Sequence, residues 1–171
     1  MQPLPDRLTH LSFPEQLTLW SVRLWAEGCR KGQSVHILLN DAYRLAKCEE
    51  AYLHLENFLT LMVSANCRAI DVRCLHCDGI SADEWRILQS IALAQHQNAY
   101  APAPLLSYFL EPTATRVSLP IIKQWADTLK ATKLFLPLRE EALAIARQNY
   151  NPDQDNISHF DMPQQNKELL H

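Results

Sequence analysis

The stretch Ile80–Gln97, "ISADEWRILQSIALAQHQ", carries the strongest helix signal in the chain. Ser81 and Glu84 have the spacing of a capping box, in which the two side chains each accept a hydrogen bond from the other residue's backbone N–H. Ile80 and Trp85 stand at the two positions of a hydrophobic staple. Apolar residues then recur every three or four positions. We therefore predict a helix that begins directly after Ser81.

Helical patterns of the same kind occupy most of the chain on either side of this stretch. Ser12 and Glu15 form a second capping box ahead of a helix predicted over residues 13–30. Acidic residues in a first turn and apolar residues in phase indicate further helices. These are predicted over residues 35–47 with Ser34 as the cap, 49–65, 103–110, 119–132 with Ser118 as the cap, and 138–149.

The composition agrees with an all-α fold. Only three of the 171 residues are glycine, and most of the ten prolines stand between the periodic segments, where a missing N–H costs least. Residues 151–171 show no hydrophobic period and are rich in Asn, Gln, Asp and Pro, which is typical of a flexible tail. We predict one domain of about seven helices over residues 10–150, followed by that tail at residues 151–171.

Charge and hydropathy exclude several classes of partner. The formal net charge is −3 and the sequence pI is about 6.1, so no overall positive field attracts nucleic acid or an anionic membrane. No apolar run reaches the roughly 18–20 residues that a bilayer crossing needs. The start, "MQPLPDRLTH", lacks the basic and apolar regions of a secretory signal. We therefore expect a cytoplasmic protein whose five cysteines are free thiols.

The stretch "ANCRAIDVRCLHCDG", residues 65–79, concentrates cysteine between two predicted helices. Cys74 and Cys77 are spaced as a zinc-binding pair, with Cys67 upstream as a third ligand. His76 is a candidate co-ligand, although it is adjacent to Cys77 and their side chains tend to diverge. A fourth ligand would come from a distant part of the chain: Cys48, His54 or His96.

Two other interpretations of this stretch compete with a zinc site. Reactive CxxC pairs usually lie at a helix N-terminus within a βαβ unit, but Cys77 precedes the cap Ser81 by four residues and no such unit surrounds it. The third interpretation is structural, because free cysteine packs as a small apolar residue. We favour this third interpretation and expect a compact, mostly buried connection.

Trp20 and Trp25 are five residues apart, so both cannot point fully inward from one helix. Tryptophan is enriched in protein interfaces, which makes these two residues the candidates for partner binding. The competing explanation is a central helix that is buried nearly all round, with Ser21, Arg23 and Glu27 as a narrow polar face.

The sequence contains no H-E-x-x-H metalloprotease motif, no G-x-S-x-G nucleophile motif and no Walker phosphate-binding motif. We therefore expect a non-enzymatic helical protein-interaction module, a cytoplasmic regulator or adaptor, whose partner is another protein or a second copy of the chain as a homodimer. For such a module we expect no cofactor. The alternative is a small zinc-binding or thiol-dependent helical protein with its site at the Cys67–Cys77 loop.

Overall fold

A computed structural model describes residues 7–148 of the chain. Its α-helices, in chain order, are α1 (Phe13–Lys31), α2 (His36–Leu45), α3 (Glu49–Ala65), α4 (Ala82–His96), α5 (Ala103–Leu106), α6 (Pro112–Ala131) and α7 (Glu140–Gln148). Within the described residues there is no β-strand, and two isolated bridges are the only β-type pairings. The predicted all-α class is confirmed. The predicted tail, residues 151–171, lies outside the described residues.

Helix α4 is the central helix of this fold. Eleven of its fifteen residues are buried, so nearly every face of it is covered, and it packs against α1, α5, α6 and α7. Its start follows the sequence signal: the Ser81 hydroxyl accepts from the Glu84 N–H at 3.0 Å, and the Glu84 carboxylate accepts from the Ser81 N–H at 2.9 Å. Two orphan donors at the helix start are thereby satisfied.

The main core lies where α3 packs against α6 and α2. Trp125 of α6 is fully buried, and its ring centroid lies 6.1 Å from that of Phe58 on α3. Tyr43 of α2 is buried in the same cluster. The bounds predicted for α3 are confirmed, and so is the burial of its apolar stripe.

Two predicted caps are wrong. Helix α2 begins at His36 after Val35 rather than after Ser34, and it buries Leu39 while Leu38 remains 58% exposed. Helix α6 begins at Pro112, seven residues before the predicted start, because a proline at the first helical position loses no hydrogen bond. Ser118 is therefore an interior residue, and its hydroxyl donates to the carbonyl of Thr115 at 2.7 Å.

Residues 134–139, between α6 and α7, are held by two buried glutamines of α4. Gln95 donates to the carbonyl of Leu134 at 2.9 Å and accepts from the N–H of Leu136 at 2.8 Å. Gln89 donates to the carbonyl of Pro137 at 3.1 Å and accepts from the N–H of Arg139 at 2.9 Å. This irregular segment thereby obtains partners for its backbone without a neighbouring strand.

The turn between α1 and α2 depends on a glycine. Gly28 is buried, and a Cβ built on it would lie 2.8 Å from the carbonyl oxygen of Gln33 and 2.9 Å from a methyl group of Val35. We expect Gly28→Ala to lower the free energy of unfolding by about 1–3 kcal/mol, as overpacking does, although alanine normally favours a helix by about 1 kcal/mol over glycine. Chemical denaturation monitored by circular dichroism measures the change.

The control for Gly28→Ala is Gly32→Asn. Gly32 has φ of 62°, and a Cβ there meets nothing within 4 Å. Asparagine tolerates this left-handed conformation, so the variant should remain within about 1 kcal/mol of the parent. A Gly28→Ala protein as stable as the parent would show that the turn is not packed as described.

Candidate functional site

A buried ion pair joins α1 to the start of α4. Arg23 Nε donates to Glu84 Oε1 at 2.7 Å and Arg23 Nη2 donates to Oε2 at 2.9 Å, with both side chains at most 1% exposed. Ser21 and Arg23 were assigned to the narrow polar face of α1, and the structure buries both of them fully. The guanidinium is tolerated there because a carboxylate and backbone carbonyls accept its hydrogen bonds.

The same ion pair holds the cysteine connection, residues 66–81, which joins α3 to α4. Arg23 Nη1 donates to the carbonyl of Cys77 at 2.5 Å and Nη2 donates to that of Gly79 at 2.8 Å. Glu84 Oε1 accepts from the N–H of Arg73 at 3.0 Å. The backbone on both sides of Cys74 is thus bound to buried charges.

Asp83, next to Glu84, holds the first part of the connection. Its carboxylate accepts two hydrogen bonds from Arg68, at 2.6 and 2.8 Å, and one each from the N–H of Asp71 at 2.9 Å and from Arg86 at 2.8 Å. The hydrogen bonds from Arg68, more than those from Asp71 and Arg86, lower the pKa of Asp83 to about 2. Asp83 is therefore a charged anchor at neutral pH.

The cysteines of this connection are more exposed than the sequence indicates. Cys74 and Cys77 form a disulfide, Cys67 and His76 are exposed, and Cys77 is half-buried. The expectation of a mostly buried connection is therefore wrong, and so is the expectation that all cysteines are free thiols. The cysteine connection is held in place by hydrogen bonds between its backbone and buried charged side chains. This does not require its cysteine side chains to be buried.

The structure does not gather the predicted zinc ligands. From Arg7 to Gln148, no three His, Cys, Asp or Glu residues are grouped so that they could hold a metal ion. Of the distant candidates, Cys48 lies buried at the start of α3, and burial raises the pKa of its thiol. His96 contacts the carbonyl of Leu136 instead.

An apolar groove lies between α1, α3 and the cysteine connection, and we call it the α1–α3 groove. Its cavity measures about 210 Å³. Its lining includes Trp25, Arg30, Leu59, Met62, Val63 and Val72. Trp25 is half-buried and packs against the core, while Val63 at the rim is 61% exposed. The guanidinium of Arg30 donates to the carbonyl of Val72 at 3.3 Å.

Trp25 also lines a second crevice, of about 220 Å³, that reaches the start of α2. There His36 Nδ1 lies 2.6 Å from the hydroxyl of Tyr52. Burial, together with the hydrogen bond to Glu56, raises the pKa of Tyr52 to about 12. Trp25 therefore lies between the apolar α1–α3 groove and the more polar second crevice. Trp20 is half-buried against the core and lines neither cavity.

Sequence reasoning identified Trp25 and the cysteine stretch but missed the residues that position them. The burial of Arg23 could have been predicted from its neighbours. A charged residue with apolar residues on both sides, as in "LWSVRLW", indicates a buried position that needs an oppositely charged partner. The sequence pattern assigned Glu84 only to the capping box and gave no role to Asp83. Their long-range partners in the connection have no local signature.

Searches against family models, curated proteins and solved structures found no match to this chain. Along residues 7–148, no helix combines the length and the apolar character that crossing a membrane demands.

Asp83→Asn should weaken the fold in a pH-dependent way. The pKa of Asp83 is about 2 in the folded protein against a reference value of 3.8, so its ionised form stabilises the fold above pH 4 and this stabilisation is lost as pH falls towards 2. We expect a loss of about 2 kcal/mol at pH 7 that shrinks on acidification. Urea unfolding of both proteins at several pH values measures it. A loss independent of pH would show that the charge is not responsible.

The Arg23–Glu84 pair should show strong coupling. Arg23→Met leaves the Glu84 carboxylate buried without its partner and should cost about 3–5 kcal/mol. Glu84→Gln preserves the capping box but removes the charge. The double variant should therefore be less destabilised than the sum of the two single variants, by about 1–3 kcal/mol in a double-mutant cycle. Additive losses would contradict a direct buried pair.

Proposed function

We propose that this chain is a protein-interaction module, a cytoplasmic regulator or adaptor, that binds an amphipathic helix of a partner protein in the α1–α3 groove. The observation that carries the proposal is the groove itself, an apolar concavity that includes the half-exposed Trp25. Amphipathic helices bind proteins by placing an apolar face into such grooves. Tryptophan is among the residues that contribute most to binding energy at interfaces.

The charge at the groove supports the choice of partner. Among the described residues that line the groove, Arg30 is the one charged residue, and it is exposed. Its guanidinium donates to the neutral carbonyl of Val72. Within residues 7–148 it forms no salt bridge, and the carboxylate of Glu27, whose pKa is lowered by Lys31 and to a smaller extent by Arg30, is hydrogen-bonded to Lys31. A partner helix that presents apolar side chains towards Trp25 and Met62 and an acidic side chain towards Arg30 complements this surface.

The probe for this proposal is a display library of 20-residue peptides with apolar residues at positions i, i+3, i+4 and i+7, selected against the full chain. The variant is Val63→Glu, which puts a negative charge at the groove rim. We expect selected peptides to be enriched in acidic residues near one end of the apolar face. Their affinity should fall about tenfold or more on Val63→Glu, equivalent to about 1.4 kcal/mol.

The matched control is Val117→Glu on α6. Val117 is 50% exposed against 61% for Val63, and it does not line the groove, so this variant should keep the parent affinity. Equal losses on both variants, or none on Val63→Glu, would contradict the proposal. If size-exclusion chromatography shows a dimer that Val63→Glu dissociates, the groove is occupied by a second copy, and the proposed partner is wrong.

The cysteine connection favours a second candidate function, the thiol-dependent alternative, because its disulfide joins two residues of a CxxC pair.

A further inference from the structure

The backbone around the disulfide between Cys74 and Cys77 is held in place by hydrogen bonds from other parts of the protein. The N–H of Arg73, directly before the first sulfur, donates to Glu84. The carbonyls of Cys77 and Gly79 accept from Arg23. The N–H of Leu8 donates to the carbonyl of Asp78 at 2.7 Å. None of these hydrogen bonds requires the sulfur–sulfur bond, so the connection keeps its anchors when that bond is broken.

This disulfide also closes a very short loop. The two cysteines are three residues apart in the sequence. In the chain-entropy description, the stabilisation by a cross-link grows with the logarithm of the number of residues in the loop that it closes. A bond across three residues restricts the unfolded chain little, and it connects no two separate elements of the fold. A purely structural role therefore accounts poorly for its presence.

The two cysteine residues differ in exposure. Cys74 is exposed, whereas Cys77 is half-buried and has its backbone carbonyl fixed by a buried guanidinium. In a reducing compartment, disulfides are usually catalytic or redox-sensing.

We propose that Cys74 and Cys77 form a reversible thiol–disulfide exchange site, with Cys74 as the sulfur that bonds to the substrate and Cys77 as the resolving cysteine. The substrate class is a pair of aliphatic thiols, supplied by a dithiol of a protein segment or by two molecules of a small thiol. This activity does not depend on the proposed helix binding, because neither cysteine lines the α1–α3 groove.

The exchange balances without a further oxidant. A substrate thiolate attacks Cys74 Sγ, forming a substrate–Cys74 mixed disulfide while the Cys74–Cys77 bond breaks and Cys77 leaves as a thiolate. The second substrate thiolate attacks the substrate sulfur of that mixed disulfide, and Cys74 leaves in turn. The substrate loses two electrons and becomes a disulfide, the protein gains them as two thiolates, and the two protons of the substrate thiols complete the thiols of Cys74 and Cys77. The reverse sequence reduces a substrate disulfide.

The test uses the full chain with Cys29→Ser and Cys67→Ser, because these two exposed thiols would otherwise react. The protein is equilibrated in glutathione buffers of varied ratio, trapped with a maleimide and weighed by mass spectrometry, and its helicity is followed by circular dichroism. The second arm replaces glutathione by a synthetic peptide that carries two cysteines. Cys77→Ser and Cys74→Ser, in the same background, are each mixed with the oxidised form of both probes.

We expect Cys74–Cys77 to convert reversibly between disulfide and dithiol within the range that glutathione covers, with helicity unchanged. Cys77→Ser should accumulate a stable mixed disulfide at Cys74, and Cys74→Ser should form one roughly tenfold more slowly or worse, because Cys77 is less accessible. A faster reaction with the peptide than with glutathione identifies a protein dithiol as the substrate, and the opposite order identifies a small thiol.

Three results would overturn the proposal. The disulfide could resist reduction across the whole glutathione range, which would make it structural. Reduction, or the variant with both Cys74→Ser and Cys77→Ser, could abolish the helical signal, which would make the bond a determinant of the fold. Finally, the reduced chain with native Cys67 could bind one equivalent of zinc that blocks maleimide at Cys67, Cys74 and Cys77, which would restore the zinc interpretation.

Discussion

The buried ion pair between Arg23 and Glu84 is the interaction on which the arrangement around the cysteines depends. A charged pair removed from water is costly unless its remaining hydrogen-bonding capacity is used. Here the carbonyls of Cys77 and Gly79 accept from two of the three remaining donors of the guanidinium, and the N–H groups of Arg73 and Ser81 donate to the carboxylate. The pair therefore fixes where α1, the start of α4 and the cysteine connection lie relative to one another. Removing either charge would leave the other uncompensated in the core, and this gives the arrangement its specificity.

Other side chains of α4 also form hydrogen bonds with the backbone of irregular segments. Its first turn binds the backbone of the cysteine connection through Asp83 and Glu84, and its buried glutamines bind residues 134–139. Both irregular connections therefore run against a helix that supplies side-chain partners for their N–H and C=O groups. This also explains how the cysteine connection can be ordered although Cys67 and Cys74 are exposed.

The sequence allowed the helices to be predicted wherever the signal was local. The capping boxes at Ser12 and Ser81 and the apolar stripe of α3 need only neighbours within a few residues, and these predictions are confirmed. Ser34 and Ser118 failed as caps because helix starts also depend on packing that a single serine does not reveal. The site was predictable only as isolated residues. Trp25 and the cysteines stand out in the composition of the sequence. The groove, however, is formed by segments about forty residues apart in the chain. The partners of Arg23 are also distant in sequence, so no local pattern predicts them.

The α1–α3 groove and the disulfide share one segment of chain, which raises the question of whether the redox state would alter the groove. Val72 lines the groove and receives the hydrogen bond of Arg30, and it lies two residues before Cys74. Between them, the N–H of Arg73 is bound to Glu84. That buried anchor separates the wall of the groove from the sulfurs, so a change in sulfur bonding has no direct path to Val72. The geometry thus favours two sites that operate independently, with the groove retaining its shape whether Cys74 and Cys77 are joined or free.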